Sequence, residues 1–318
     1  MTLPAQAQSV GPHRKVMAFR PGLADRALRR IARYGKKPIL AAIPSQKVLR
    51  LLFALAARLG GQITPGSRVD IEADGSRLIT PPGLGPDAPV LLYLHGGGFT
   101  IGSPATHAGM ASHIARAAGL RVYLPRYPLA PEAPFPAAPE ACLAVYRRLV
   151  AEDMPPVALA GDSAGGNLAL VTALAARVEG LPLPRALALL GPVVDQSADI
   201  AARVAAAPQE HLIPAAWAAR IVTSYAAGHD LTDPRLSPIF ADLSALPPTL
   251  IQTAEGEVLS EDAERLAAAL PQATHQIWPG LHHVWHLTAG RAPAASLACA
   301  EIGAFLKGHV SAPERPAP

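Results

Sequence analysis

From residue 89 onward, short apolar runs alternate with longer helical segments, and this alternation limits the fold more than any other feature of the chain. The apolar runs lie at 89–94, 121–124, 157–160, 186–190, 248–253 and 275–278, and helix candidates lie between them at 105–118, 137–152, 164–178 and 260–270. Runs that are apolar at every position are typical of strands buried on both faces of a sheet. The pattern therefore predicts an α/β fold with a mostly parallel central sheet flanked by helices.

Two segments depart from this alternation. Upstream of it, the strand-like residues 69–71 and 78–79 flank Asp74 and Gly75, a pair that favours a tight turn. An antiparallel hairpin is therefore expected at one edge of the sheet. Residues 195–232 contain prolines and helical stretches without an obvious strand, and we interpret them as an insertion.

The first 60 residues differ from the rest in pattern and in charge. Residues 1–20 are polar and are expected to be irregular, whereas 23–34 and 45–59 have apolar residues at helical spacing. This arm contains twelve Lys and Arg but one acid, while the remainder of the chain is acidic. Such an arm either touches an anionic lipid or an acidic partner, or rests on the acidic body; the complementary charges favour the second interpretation.

These patterns divide the chain into five segments. They are an N-terminal helical arm at 1–60 that forms part of a cap, a first core segment at 61–194, a cap insertion at 195–232, a second core segment at 233–308, and a disordered tail at 309–318. The arm and the insertion are expected to form a lid over the strand ends.

Composition narrows the class of protein. No apolar run reaches the roughly 18 residues that span a bilayer, and the N-terminus lacks the pattern of a secretory signal. Cys142 and Cys299 have no metal-binding or disulfide spacing, so we expect a cytoplasmic protein without a metal or another cofactor. The basic residues are not interleaved with aromatic ones, which argues against a nucleic-acid partner.

A candidate nucleophile lies in the pentapeptide Gly161-Asp-Ser-Ala-Gly165, which follows a strand candidate and precedes a helix candidate. A sharp strand-to-helix turn strains the dihedral angles of its central residue, Ser163, and small flanking residues relieve the crowding. The helix N-terminus would also favour negative charge near the serine. One such pentapeptide is weak evidence in a glycine-rich chain, and an ordinary strand–helix turn is the alternative.

A second glycine motif, His95-Gly-Gly-Gly98, follows the strand candidate at 89–94. Glycines allow close backbone approach, so the N–H groups of Gly97 and Gly98 are candidate donors to a reacting oxygen, with that of Ala164 as a third. His95 is expected to brace this loop through hydrogen bonds. The chain lacks the phosphate-binding patterns G-x-x-x-x-G-K-[ST] and G-x-G-x-x-G, so a nucleotide site is not expected.

A reactive serine needs a base and a carboxylate that orients it. Glu257 follows the strand candidate at 248–253, in a loop where a carboxylate can reach a histidine. Asp262 is the second choice, because it lies in the first turn of a helix, expected to be capped by Ser260, where the helix dipole already favours an acid. Glu255 and Glu261 are the remaining alternatives.

The base is expected after the last strand candidate. Three histidines lie there, and their spacing alone does not choose among them: His282, His283 and His286. Four others are expected on the surface or in the lid: His107, His113, His211 and His229.

Taken in order, these phrases resemble the hormone-sensitive-lipase-like branch of the α/β-hydrolases, chiefly bacterial carboxylesterases. The matching phrases are His95-Gly-Gly-Gly-Phe99, Tyr127-Pro-Leu-Ala-Pro-Glu132 with Pro134-Phe-Pro136, Gly161-Asp-Ser-Ala-Gly-Gly-Asn167, Asp233-Pro-Arg-Leu-Ser-Pro238, Glu257-Val-Leu-Ser-Glu-Asp262 and Pro279-Gly-Leu-His-His-Val-Trp285. The resemblance covers about residues 68–306 and is far more specific than any one motif.

The resemblance implies an α/β-hydrolase fold and a serine carboxylesterase that cleaves short- to medium-chain esters through an acyl-enzyme. Carried over to this chain, it assigns the nucleophile to Ser163, the acid to Glu257, the base to His283, and the oxyanion hole to Gly97, Gly98 and Ala164. The chain departs from the family pattern at three positions, where it has Arg126, Pro128 and Trp285.

Other reactions are compatible with the same triad. Amide, lactone and thioester hydrolysis share its tetrahedral intermediate, and a non-catalytic small-molecule-binding protein of the same fold is a further alternative. The expected partner is a small-molecule ester. An exposed edge strand would also allow a homodimer, and the basic arm would allow weak contact with a membrane surface.

Overall fold

The computed structural model describes residues 7–9 and 13–310. Within this part of the chain, ten strands form one sheet: β1 (Ala7–Ser9), β2 (Arg14–Met17), β3 (Arg68–Ile71), β4 (Arg77–Thr80), β5 (Val90–Leu94), β6 (Arg121–Leu124), β7 (Pro156–Asp162), β8 (Ala186–Leu190), β9 (Thr249–Ala254) and β10 (Ala273–Trp278). Their spatial order is β1-β2-β10-β9-β8-β7-β5-β6-β4-β3.

The described helices are α1 (Leu23–Ile31), a π-helix (Ala32–Lys36), α2 (Lys37–Ala42), α3 (Gln46–Arg58), α4 (Pro104–Ala118), α5 (Ala137–Ala151), α6 (Ala164–Val178), α7 (Ile200–Ala206), α8 (Ala215–Ala226), α9 (Ser260–Ala269) and α10 (Pro293–Val310). Short 3₁₀ turns lie at Pro238–Phe240 and Trp285–Thr288.

The sheet is parallel from β2 through β6, as the apolar alternation predicts. Its central strands β5, β8 and β9 are buried at every position, because α5, α6 and α9 cover one face and α4 and α10 cover the other. The expected antiparallel hairpin is confirmed as β3–β4, with its turn at Asp74 and Gly75.

The expectation that residues 1–20 are irregular is wrong for Ala7–Ser9 and Arg14–Met17, which form strands. Strand β2 pairs in parallel with β10, placing Val16 beside Ile277, and β1 adds an antiparallel strand outside it. This pairing is made by backbone hydrogen bonds to the open edge of the sheet. Because such bonds do not depend on apolar side chains, the strand leaves no apolar periodicity in the sequence. Residues 1–6 and 10–12 lie outside the described residues.

The last helix continues to Val310, two residues into the segment that was expected to be a disordered tail. The rest of that tail lies outside the described residues. Helix bounds elsewhere agree with the sequence expectation to within a few residues, except that the first predicted helix at 23–34 ends at Ile31 and continues as a π-helix.

The helices α1–α3, α7 and α8, with the π-helix, are named here the helical cover, and hydrogen bonds join its two parts. The guanidinium of Arg220 on α8 donates to the carbonyl oxygen of Leu40, 2.7 Å away, and the ammonium of Lys37 donates to that of Glu210 at 2.8 Å. These contacts link the N-terminal helices to the segment between β8 and β9.

Candidate active site

Ser163 lies at the turn between β7 and α6, in a strained backbone conformation with φ 53° and ψ −118°. The turn is tight because the chain reverses beside β5: a Cβ on Gly165 would lie 2.0 Å from the carbonyl oxygen of Leu94, and one on Gly161 would lie 2.2 Å from that of Gly165. The amide of Ser163 donates to Leu190 on β8 at 2.8 Å. The surrounding backbone therefore holds a conformation that is costly for a serine, which is typical of a functional position.

The loop after β5 presents two glycines to the same cavity as Ser163. Gly97 has φ +119° and Gly98 φ +59°, and a Cβ on Gly97 would lie 2.3 Å from the carbonyl oxygen of Ile101. Among the described residues, no acceptor is hydrogen-bonded to the amides of Gly97, Gly98 or Ala164. Three N–H groups beside the serine are therefore free for a ligand oxygen.

Glu257 and His283 form a buried pair at the edge of this cavity. The His283 Nδ1 to Glu257 Oε2 distance is 3.0 Å, and both side chains are almost fully buried. Within the described part of the chain, His283 Nε2 has no hydrogen-bond partner, and the residue lines the cavity together with Ser163. The pair leaves the second ring nitrogen available on the side of the serine.

Burial and mutual attraction oppose each other in the pKa values of this pair. Burial raises the pKa of Glu257, and the neighbouring imidazole opposes that rise only in part. Burial disfavours the imidazolium of His283, but the carboxylate of Glu257 outweighs it, so the pKa of His283 is raised. His283 is thus a stronger base than an isolated histidine.

Gly191 lies directly against Glu257 and His283, and no sequence pattern had identified it. It has φ +52°, and a Cβ there would lie 2.8 Å from Glu257 Oε1 and 2.9 Å from His283 Cε1. The absence of a side chain at the end of β8 therefore makes room for the Glu257–His283 contact.

The other acid candidates lie elsewhere. Asp262 is fully buried, pairs with the guanidinium of Arg203, and accepts a hydrogen bond of 3.0 Å from the amide of Val194. It therefore fastens the segment before α7 to α9. Glu255 and Glu261 are exposed.

The expectation that Ser260 caps α9 is wrong. The residue at the cap position is Leu259, and the Ser260 hydroxyl donates instead to the carbonyl oxygen of Ala254 at 3.3 Å. The helix begins one residue earlier than a side-chain cap would require.

The two histidines beside His283 are also buried. His286 Nε2 lies 2.8 Å from Gln252 Oε1, whereas His282 Nδ1 has no hydrogen-bond partner among the described residues. Burial lowers the pKa of each to about 3, and the charge of Lys36 contributes at His282. Both rings stay neutral at physiological pH.

His95 braces the glycine loop, as expected. Its Nδ1 lies 2.9 Å from the carbonyl oxygen of Gly96, and its ring stacks on Tyr127 with the centroids 4.2 Å apart. The Tyr127 hydroxyl donates to the carbonyl oxygen of His95 at 2.5 Å. Burial lowers the pKa of His95 to about 3, so it does not titrate together with the Glu257–His283 pair.

Asp162, which precedes Ser163, ties the two glycine motifs together. Its Oδ1 accepts hydrogen bonds from the Gly96 amide at 3.0 Å and from the Tyr93 hydroxyl at 2.9 Å. His107 Nε2 lies 3.4 Å from its Oδ2. Burial favours the neutral carboxyl, but these partners outweigh it and lower the pKa of Asp162, which stays ionised.

The expectation that His107 lies on the surface or in the lid is therefore wrong. The residue is 1% exposed, and it lines the cavity as part of α4. The position of His107 after the capping residue Ser103 gave no sign of burial, since the two faces of α4 are similarly apolar. The burial follows from its contact with Asp162 at the end of β7, which is distant in sequence.

Glu210 is a further buried carboxylate that sequence reasoning missed. One of its oxygens accepts hydrogen bonds from the amides of Leu212 and Ile213, and the other accepts one of 3.1 Å from Val258. Because Val258 follows Glu257, the carboxylate of Glu210 joins the insertion to the loop that carries Glu257.

The departures from the family pattern have local structural roles. The Arg126 amide donates to the Ser76 hydroxyl at 2.9 Å, and its guanidinium donates to the carbonyl oxygen of Asp74 at 3.1 Å, so both hold the β3–β4 turn. Trp285 is buried and packs against Trp278, with ring centroids 5.8 Å apart. Among the described residues, neither Arg126 nor Trp285 makes a hydrogen bond or ring contact to Glu257 or His283.

The cavity above Ser163 measures about 230 Å³ and has mostly apolar walls. The side chains of α3 and α8 that line it are Leu49, Leu52, Phe53, Ala56, Trp217, Ala218, Ile221 and Val222. The helical cover thus supplies much of the wall opposite the serine.

Comparison with known proteins places these features in a family. The profile of the alpha/beta hydrolase fold family matches residues 91–287. An acetyl-hydrolase of Streptomyces hygroscopicus is 40% identical over 227 residues, which cover 70% of this chain and 76% of that protein. The putative acetyl-hydrolase LipR of Mycobacterium tuberculosis is 35% identical over 87% of this chain and 92% of its own length.

A solved structure gives the same result. The crystal structure of an esterase from the bacterial hormone-sensitive lipase family has a TM-score of 0.81 and 34% sequence identity, covering 92% of this chain and 100% of that one.

Within the described residues, no helix is both long enough and apolar enough to cross a membrane. No cluster of side chains there has the composition of a metal site.

Proposed function

This chain belongs to the hormone-sensitive-lipase-like branch of the α/β-hydrolases and is a carboxylic ester hydrolase, and from that premise we propose that Ser163 is its nucleophile, Glu257 its acid and His283 its base. The observation that carries the proposal is His283, whose Nδ1 is held by Glu257 while Nε2 is free in the cavity that contains Ser163. A carboxylate that orients a histidine, with the other ring nitrogen free beside a serine, is the arrangement that activates a serine nucleophile.

In the proposed mechanism, His283 Nε2 accepts the hydroxyl proton of Ser163 as the oxygen attacks the ester carbonyl. The charge that develops on the carbonyl oxygen is stabilised by the amides of Gly97, Gly98 and Ala164, which have no other acceptor among the described residues. The imidazolium then protonates the leaving alcohol, and water activated by the same histidine hydrolyses the acyl-enzyme. Glu257 fixes the ring orientation and stabilises its positive charge.

Covalent labelling tests this assignment directly. A fluorophosphonate is expected to add to Ser163, and Ser163→Ala is expected to remove both the adduct and roughly 10⁴-fold or more of the turnover of p-nitrophenyl butyrate. Circular dichroism controls for folding of the variant. Labelling at another serine, or near-normal turnover in the variant, would reassign the nucleophile.

The names of the relatives do not favour the other reactions open to this triad. They are esterases and acetyl-hydrolases, so amide, lactone and thioester hydrolysis, or binding without catalysis, are not favoured. A preference for short to medium acyl chains is a proposal, supported by the apolar cavity of about 230 Å³.

We also assign the cap to the arm at 1–60 and the insertion at 195–232, with the core at 61–194 and 233–308. The support is that the helical cover lines the cavity opposite Ser163 and is fastened by Arg220, Asp262 and Glu210. A cap of this kind shapes the space for the acyl and alcohol groups.

Among partners, a small-molecule ester follows from the activity. A homodimer and a weak membrane contact by the basic arm stay predictions; edge strand β3, which is largely exposed, supports the first. A cytoplasmic location is also a proposal, supported by the two cysteines, which are unpaired and buried. Light scattering measures the oligomeric state, and a monomer would overturn the homodimer.

A further inference from the structure

Helix α3 has an apolar stripe that faces away from the protein. Its members, together with the residue that follows the helix, are Val48, Leu51, Leu52, Leu55 and Leu59, and their exposed fractions are 44%, 60%, 37%, 46% and 78%. Spacings of three and four residues place them on one side of the helix. The side of α3 that packs on the protein is formed instead by Leu49 and Phe53.

The N-terminal helices carry most of the large apolar side chains that the described structure exposes. Leu23, Ile31, Tyr34 and Ile39 are also exposed there, so residues 23–59 contain nine of the thirteen large apolar side chains exposed in the described structure. Water contact with so many clustered apolar side chains is unfavourable, and a surface of this kind usually marks an interaction site.

Positive charge flanks the stripe on α3, where Lys47 precedes Val48 and Arg58 precedes Leu59, and further cations lie on the preceding helices. Arg30, Arg33, Lys47 and Arg58 are exposed, and no acidic side chain pairs with them in the described part of the chain. The arm's acid, Asp25, is buried and accepts a hydrogen bond of 2.9 Å from the Gly22 amide. The outer face of the arm therefore combines apolar side chains with cations that form no ion pair in the described part of the chain, and Glu132 is the acidic side chain that interacts with the charge of Lys47.

The positive charge favours an anionic lipid surface over a second copy of this chain as the partner of the stripe. A second copy packed on the same face would bring like charges together across a twofold axis, which is unfavourable. An anionic lipid surface satisfies both properties, because the apolar side chains insert between the headgroups while the cations attract them.

The apolar surface also continues into the catalytic cavity. Leu52 and Ile39 are exposed on the outside and line the cavity that contains Ser163. An acyl chain that leaves a lipid surface at this point stays in contact with apolar side chains until it reaches the nucleophile.

Arg50 fixes the stripe relative to the cavity. Its guanidinium donates to the carbonyl oxygens of Thr100 at 2.7 Å and Ala130 at 2.8 Å, and it pairs with Glu132 at 2.7 Å. Thr100 lies just beyond the glycine loop, so the helix is anchored next to the oxyanion donors.

We propose that the apolar stripe of α3 and its flanking cations dock this protein on an anionic lipid surface, from which esters with apolar acyl chains enter the cavity past Ile39 and Leu52. The inference rests on the proposed function for the fate of the ester, but docking itself needs no chemistry. Docking and hydrolysis are therefore separately measurable.

The test is co-sedimentation of the full chain with vesicles of equal parts phosphatidylcholine and phosphatidylglycerol, and with vesicles of phosphatidylcholine alone. The unchanged chain and Ser163→Ala are expected to bind the anionic vesicles alike, and binding is expected to weaken in high salt. The double variant Leu51→Gln/Leu55→Gln, which leaves the cavity lining intact, is expected to bind at least about tenfold more weakly.

Matched variants control for lost apolar area and lost charge in general. Ile71→Gln/Val178→Gln removes two exposed apolar side chains outside the arm and is expected to bind normally. Lys47→Gln/Arg58→Gln is expected to weaken anionic binding severalfold, whereas Arg291→Gln/Lys307→Gln is not. These three double variants and Leu51→Gln/Leu55→Gln are all expected to hydrolyse water-soluble p-nitrophenyl acetate at the normal rate.

Three results would overturn the proposal. They are equal binding to neutral and anionic vesicles, binding that survives in the Leu51→Gln/Leu55→Gln variant, and a dimer in solution that this variant converts to a monomer, which would assign the stripe to a second copy. Retained p-nitrophenyl acetate hydrolysis in Ser163→Ala, with vesicle binding intact, would instead count against the proposed triad.

Discussion

The two sides of the catalytic cavity are built on opposite principles. On the sheet side, Ser163, Gly97 and the Glu257–His283 pair are fixed by backbone constraints and hydrogen bonds at single positions. On the side of the helical cover, the wall consists of apolar side chains from α3 and α8 that need only fill space. Substitutions on the sheet side should therefore affect rate steeply, and those on the cover should change preference gently.

After the loss of the nucleophile itself in Ser163→Ala, the largest effect on kcat is expected at Glu257. Glu257→Gln leaves the contact with His283 but removes the charge that orients and stabilises the imidazolium, and kcat is expected to fall by roughly 10³–10⁴. Asp262→Asn is the matched control, because it removes a buried carboxylate that holds the cover instead. Asp262→Asn should lower the midpoint temperature of thermal unfolding, while kcat stays within about threefold of that of the unchanged chain. The reverse order of rates would place the acid at Asp262.

The next largest loss of kcat is expected at the glycine loop after β5, and it should differ between Gly97 and Gly98. Gly97→Ala places a Cβ against the backbone of Ile101 at a φ that L-residues avoid, so the loop must shift, and kcat should fall by about 10²–10³. Gly98→Ala meets only the flexible end of Ile221, at a φ that is better tolerated.

A smaller loss is expected for Gly98→Ala, and Ile221→Val should restore part of it. Steady-state kinetics on one ester compares the three variants. Equal losses at both glycines, with no rescue, would show that the cover constrains this loop as strictly as the sheet does.

The pH dependence of kcat/KM tests the charge of the pair. Because the carboxylate of Glu257 raises the pKa of His283 and the base acts when neutral, activity should fall as pH decreases through a pKa above the usual 6.5 of histidine. Below that pKa the fall is about tenfold per pH unit. In Glu257→Gln the residual activity should show this limb at lower pH, and an unshifted limb would assign it to another group.

The smallest effect is expected in the cover. Phe53→Ala enlarges the cavity without touching the pair, so the preference among acyl lengths should move by severalfold toward longer chains, at nearly constant acetate turnover. Phe240→Ala, which removes an exposed ring outside the cavity, is the control. A large loss of acetate turnover in Phe53→Ala would show that the cover positions the reacting groups.

The same contrast explains what the sequence could predict. Ser163 and the glycine loop were identifiable because a tight turn or a close backbone approach leaves a local signature, and the motif order singled out Glu257 and His283. Gly191, His107 and Glu210 had no such signature, since their environments arise where separate segments meet. The α/β alternation predicted the sheet, but β2 joined it through backbone bonds that no side-chain pattern encodes.

The helical spacing of Val48, Leu51, Leu52 and Leu55 illustrates the limit in another way. The spacing predicted a helix correctly, and α3 spans Gln46–Arg58. An apolar stripe does not say what it faces, however, and here it faces outward. Periodicity identifies the element, while its orientation depends on anchors such as Arg50 that act across the fold.

The pairing of β2 with β10 has a consequence for the order of biosynthesis. Val16 emerges from the ribosome early, whereas its neighbour Ile277 is among the last residues of the sheet to be made. Asp25 and Arg29 likewise contact Ala294 and Gly280, far later in the chain. Strand β2 and helix α1 can therefore take their final positions only when translation is nearly complete, whereas α3, which Arg50 anchors to Thr100 and Ala130, can be positioned much earlier.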